Sequence, residues 1–311
     1  MDLLCRFNAK EIHVKKIFYH PDGCCGRVMH NIARMVKKYS PKDKIIWTDD
    51  WLTADMVIET IFDDHESTPA ANNVEIVRHL NEKPFGVVFA GFSRPKEWIL
   101  SNKFFNNIFK DAKFIYTPWD LTGFYGFKLN NHIRLPFGFE KESFFKIPNK
   151  EKRYTIACTG YVACSEGIEE IYEAVKAIDG RMLHLGRNFG WDKPYYENRE
   201  NVSVEELNLI FNQSKYISAL RRGEGFELTA TESGAAGVTP VCFDNPHYTD
   251  WFKDYAKFVR EDTPNIVIKD LIELLKKEPD VISDEKIADI RARFNWEDII
   301  HKFWDYAIRR I

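Results

Sequence analysis

The stretch KKIFYH, residues 15 to 20, is a compact block of β-forming side chains around Ile17, Phe18 and Tyr19. It runs into the breaker PDGCCG and then into RVMHNIARMVKKYS, where Val28, Ile32, Met35 and Val36 share one face at helical spacing. Strand, glycine-bearing turn and helix in that order constrain the chain more than any other feature, because a strand followed by a helix returns to its sheet as a parallel neighbour. The same grammar continues downstream. ADMVIETIF, PFGVVFAGF and AKFIYTP are nearly unbroken apolar runs, as expected of strands with helices over both sheet faces. HIRLPFGF closes the first half, and the polar stretch KIPNKEKR, residues 146 to 153, is the expected linker.

A second series of the same kind follows. YTIACTGYV reads as a strand, EGIEEIYEAVKAI as a helix, RMLHLG as a strand, and RNFGWDKPYYENREN as a loop. Ser203 and Glu206 in SVEELNLIFNQ have capping-box spacing and mark a helix start. KYISAL and VTPVCF are strands on either side of RRGEGFELTATESGAAG, and helices are expected from there to the end. Two successive α/β units, each with its own sheet, follow from this order.

Composition narrows the class of function. The 44 basic and 47 acidic residues nearly cancel, so no global field of the kind that coats nucleic acid exists. Cysteines 5, 24, 25, 158, 164 and 242 make neither a CxxC pair nor a zinc-spaced cluster. With no signal peptide and no apolar run near 18 residues, a soluble, reducing, cytoplasmic setting is expected. Asp63, Asp64 and His65 in FDDH resemble an acidic metal motif, but they read as loop residues, and no metal site is expected. Arg27, Arg34, Lys37 and Lys38 on the first helix read as a solvated face.

The segment RRGEGFELTATESGAAGVTPV, residues 221 to 241, carries the chemistry. In open parallel sheets ligands sit beyond the carboxyl ends of the strands, and KYISAL delivers the chain straight into RRGEGFE. A helix expected over 227 to 236 offers free amides and the positive end of its dipole, a site suited to phosphate. Glu224 precedes it and Glu232 lies about one turn inside, roughly 7 Å from its start. An anion there would have a carboxylate on each side, and carboxylates accept hydrogen bonds from vicinal hydroxyls. A nucleotide sugar, with a sugar at each end of a diphosphate, fits that arrangement.

EGFELTATESGAAGVTPV resembles the EGFGL...EAMA.G.PV segment of family 4 glycosyltransferases, retaining enzymes of the GT-B fold, including its two glutamates spaced E-x7-E. NHIRLPFGFEKESFF is similar to the family's close of the first domain, with Glu140 at the usual aspartate, and RARFNWEDIIHKFWDYA to its terminal helix. The resemblance implies an α/β protein of two Rossmann-like domains facing a cleft, with a C-terminal helix crossing back to the first. The expected divisions are residues 1 to 148 on the acceptor side, 149 to 290 for the nucleotide sugar, and 291 to 311 for the returning helix.

The resemblance also implies roles. Glu224 would bond hydroxyls of the transferred sugar and Glu232 those of the ribose, while Gly225, Phe226 and Glu227 present amides to the donor. Gly23 or Gly26 would supply a backbone that phosphate and acceptor can approach. Asp22, His20, Ser93 and Arg94 are acceptor-side candidates, Asp22 and Glu224 being those placed nearest the chemistry. No cofactor is required; a UDP-, GDP- or ADP-sugar is the expected substrate. The partners are a glycan or lipid-linked acceptor, or a hydroxymethylated base in viral DNA.

The chain departs from the family at three places. Tyr161 and Glu166 stand where an Arg and a Lys usually face the diphosphate, which leaves Arg221, Arg222 or Arg187 as replacements. Glu227 stands at a usual glycine, and its charge at a helix start would repel a phosphate unless turned away. The strand VVFAGFS lacks a frequent histidine. A binding protein of the same fold without turnover is therefore a further alternative.

Overall fold

The computed structural model describes residues 14 to 20, 26 to 63, 73 to 92, 96 to 160, 165 to 222 and 225 to 311. The first half forms strands β1 (Lys15–His20), β2 (Ile45–Trp47), β3 (Met56–Asp63), β4 (Phe85–Phe92), β5 (Ile115–Thr117) and β6 (His132–Arg134). They make one six-stranded parallel sheet in the order β2-β1-β3-β4-β5-β6. Helices α1 (Gly26–Lys38), α2 (Val74–Glu82), α3 (Lys96–Ser101) and α4 (Lys103–Asp111) connect the strands. Strand order reverses between β1 and β3, which opens a crevice at their carboxyl ends.

The second half supplies β7 (Tyr154–Gly160), β8 (Met182–Gly186), β9 (Tyr196–Arg199), β10 (Ser214–Ala219), β11 (Thr239–Phe243) and β12 (Lys257–Val259). Their order is β12-β11-β10-β7-β8-β9, again wholly parallel, with the reversal between β7 and β10. Helices α5 (Ile168–Ala177), α6 (Val204–Asn212), α7 (Leu228–Ala235), α8 (Pro246–Phe252), α9 (Pro264–Leu275), α10 (Asp284–Arg293) and α11 (Trp296–Ala307) complete the unit. Two expectations are corrected here. The segment read as one loop after β8 contains β9, and the stretch read as helices to the end contains β12. Both are edge strands of three or four residues, too short to show an apolar period.

Ser203 starts α6 as expected, its hydroxyl accepting from the Glu206 amide at 3.1 Å. α7 ends in a Schellman turn: Val238 N bonds Ser233 O at 2.9 Å and Gly237 N bonds Gly234 O at 3.0 Å. Gly237 sits there at φ +73°, a conformation that favours glycine. Gly234 lets the helix lie against Tyr255, whose ring would be 2.5 Å from an added Cβ.

α11 leaves the second unit and packs on the first. Trp304 Nε1 donates to Val36 O at 3.0 Å, and the Phe303 ring lies 5.3 Å from Phe114 and 5.2 Å from Tyr116. All these side chains are buried, so one continuous apolar cluster runs through both halves. No helix among the described residues is long and apolar enough to cross a membrane.

Candidate active site

β10 ends at Ala219, and the chain passes through Arg221 and Arg222 toward α7, at the point where β7 and β10 diverge. Backbone and side-chain bonds fix this passage. Arg222 N donates to Ser165 O at 2.8 Å, Tyr248 Oη donates to Arg221 O at 3.0 Å, and Thr159 Oγ1 meets Thr229 Oγ1 at 3.2 Å. The carboxyl end of β7 and the start of α7 are thereby held together.

Both arginines engage carboxylates. Arg221 donates through Nη2 to Glu166 at 2.5 Å and lies 3.4 Å from Glu227 through Nε; Arg222 donates to Glu170 at 2.8 Å. Glu166 and Glu170 are buried while the guanidiniums are only partly covered, so the acids depend on these partners for their charge balance. Glu166 therefore has a definite place: it presses against Gly160, where a Cβ would lie 1.8 Å from its Oε2. The position that lacks the expected cation anchors one from elsewhere in the chain.

Glu227 is the N-cap of α7, its carboxylate accepting from the Thr229 amide at 3.3 Å. It is not turned away from the helix start. Phe226 is packed among Phe137, Trp251, Phe252 and Phe294 at ring distances of 5.3 to 6.0 Å. Gly225 abuts the first unit, because a Cβ there would sit 2.3 Å from the Trp119 indole. Trp119 is 2% exposed, donates through Nε1 to Ala90 O at 2.9 Å, and lies 4.7 Å from the His247 ring. The loop thus bridges the two sheets at one residue without a side chain. Nearby, Arg134 pairs with Asp250 at 2.9 Å, and Trp251 Nε1 donates to Pro118 O at 3.2 Å.

The remaining candidates are distributed as follows. Glu232 lies within α7 and is partly buried. Gly26 begins α1. Arg187 is exposed after β8 and has no ion pair among the described residues. His20 ends β1, with Nδ1 2.8 Å from the fully buried Glu59. Glu224, Asp22, Gly23, Ser93, Arg94 and Tyr161 lie outside the described residues. Sequence reasoning missed Trp119, Glu59 and His79, whose partners are remote in the chain, and it read Glu166 only as a lost charge.

No protein family model matches the chain, and no curated protein matches it. Solved structures do. Anabaena HepE in complex with UDP-glucose aligns over 96% of this chain and 100% of its own, with a TM-score of 0.70 and 11% identity. The fold is GT-B. A sucrose-phosphate synthase from Thermosynechococcus elongatus aligns over 82% of this chain and 73% of its own, TM-score 0.64, 12% identity. AviGT4, a glycosyltransferase involved in avilamycin A biosynthesis, aligns over 95% and 97%, TM-score 0.60, 12% identity.

Proposed function

We propose that the protein is a retaining glycosyltransferase that moves a sugar from a nucleotide-sugar donor to a hydroxyl of a glycan or lipid-linked acceptor. One observation carries the proposal most directly. The start of α7 stands at the divergence of β7 and β10 and is joined to the first unit through Gly225 against Trp119. Ligands of parallel sheets occupy such divergence points, and a helix start there offers amides to an anion. The resemblance of EGFELTATESGAAGVTPV to the family segment and the UDP-glucose held by HepE add the class of donor.

In this scheme Glu232 accepts from ribose hydroxyls and Glu224 from the transferred sugar. The diphosphate meets the amides near Glu227 and the guanidinium of Arg221. Its entry exchanges partners: the Thr229 amide and Arg221 turn from Glu227 and Glu166 to phosphate oxygens. The departing phosphate assists removal of the acceptor proton, so the protein's work is to stabilise a leaving diphosphate and orient the acceptor. Donor binding without turnover is the alternative that one feature favours, since Glu166, Glu170 and Glu227 already neutralise both arginines.

Incubation with UDP-, GDP- and ADP-sugars, with glycan, lipid-linked and hydroxymethylated-DNA acceptors in parallel, tests both by mass spectrometry. Transfer to one acceptor with the anomeric configuration kept is the expected result, abolished in Glu224→Gln/Glu232→Gln. Unchanged donor affinity and transfer in that double variant would overturn the assignment; tight binding with no product would favour the non-catalytic alternative.

A further inference from the structure

At the divergence point of the first sheet three side chains meet that the donor site does not use. His20 ends β1, Glu59 is its cross-strand neighbour on β3, and His79 reaches in from α2. His20 Nδ1 is 2.8 Å from Glu59 Oε2, and His79 Nδ1 is 2.5 Å from Glu59 Oε1. The two nitrogens and a carboxylate oxygen all lie within 4.8 Å of one another. Glu59 is wholly buried and His79 1% exposed. We propose that His20, Glu59 and His79 form a binding site for a divalent transition-metal ion of the zinc class.

A carboxylate removed from water requires a positive partner, and among the described residues the hydrogen-bonding partners of Glu59 are the two imidazoles. A divalent ion supplies that charge directly.

The far side of each ring favours a metal as well. If Glu59 accepts protons from both Nδ1 atoms, a neutral His79 carries a lone pair on Nε2. That atom is buried with no hydrogen-bond partner among the described residues, and the nearest described ring is Trp51, with centroids 4.7 Å apart. A neutral His20 likewise turns an Nε2 lone pair toward the Glu75 carboxylate, 3.6 Å away. For His20 this sets a lone pair near a carboxylate, and for His79 it leaves a buried acceptor without a donor among the described residues. When both Nδ1 atoms bind a metal instead, both Nε2 atoms carry hydrogen. His20 then donates toward Glu75, the outer carboxylate that metal-bound histidines commonly have, and His79 presents N–H beside an indole.

Two imidazoles and a carboxylate suit zinc, cobalt or nickel better than magnesium or calcium. With metal bonds of about 2.0 to 2.2 Å, ligand atoms spread to roughly 3.3 Å, so the ion enters by parting the imidazoles from Glu59 by roughly 0.5 to 0.8 Å. A fourth position remains for water or another oxygen ligand. The ion would tie β1, β3 and α2 together where the acceptor-side crevice opens.

The experiment uses untagged protein and reads metal, not transfer, so it is independent of the proposed activity. Elemental analysis after gel filtration is expected to find about one zinc per chain. Chelator-stripped protein titrated with Co2+ is expected to develop visible absorption saturating near one equivalent, and added Zn2+ to raise the Tm by several degrees. His20→Ala, at the partly exposed edge, is expected to lose the absorption and the Tm response. Where a variant fails to fold, the titration of stripped wild-type protein decides alone: no Co2+ absorption and a Tm shift below about 1 °C with micromolar Zn2+ would overturn the proposal.

Discussion

Replacing Gly225 with alanine tests the joint between the two halves. An added Cβ would meet the Trp119 indole at 2.3 to 2.5 Å, well inside van der Waals contact. Neither side has room to yield. Trp119 is fixed by its bonds to Ala90 O and Thr117 Oγ1 and by the His247 ring, while the next residue, Phe226, is wedged among four aromatic rings. Overpacking of this kind costs about 1 to 3 kcal/mol, and Trp119→Ala alone costs about 3 to 5 kcal/mol through the cavity it leaves. The two changes occupy the same space, so Gly225→Ala is expected to be nearly free in the Trp119→Ala background. Urea denaturation of wild type, both single variants and the double variant gives the coupling, expected at about 1 kcal/mol or more. An alanine variant within about 0.5 kcal/mol of wild type, or strict additivity, would refute the contact.

Two further predictions concern charge. Glu166→Gln releases Arg221 from its buried partner and removes one negative charge beside the expected phosphate site; nucleoside diphosphate binding by calorimetry is expected to tighten roughly tenfold, about 1.4 kcal/mol. Unchanged affinity would show that Arg221 does not reach the phosphates. The second concerns pH. Burial, aided by Arg134, lowers the His247 pKa to about 4. The folded value lies below the unfolded one near 6.5, so the unfolded chain binds a proton first and stability falls as pH drops from about 6.5 to 4. The loss amounts to about 3 kcal/mol. In His247→Phe the slope over that window is expected to be shallower than in wild type, measured by urea midpoints; identical slopes would refute the assignment.

The two-sheet architecture was legible because central strands of parallel sheets are continuous apolar blocks, as in PFGVVFAGF and YTIACTG. Ser203 was legible as a helix cap because capping is a contact three residues long. The edge strands IIW, YENR and KFV were not, since an edge position needs little apolar surface and so leaves little pattern. At the candidate site the limit was distance along the chain. Glu166 and Arg221 are 55 residues apart, and His79 and Glu59 are 20 apart on different elements. Spacing rules that read one helix or loop cannot see such pairs. A glycine required by a tryptophan from the other half, as at Gly225, carries no local signal at all.

The Trp304 bond to Val36 spans 268 residues. During synthesis, α1 and the first sheet emerge long before the helix that covers them, and their apolar flank must wait while the 268 residues from Val36 to Trp304 are made. Loss of α11 would therefore strip the earlier-made half, not the later one, and that half while nascent would be the segment most dependent on chaperone protection.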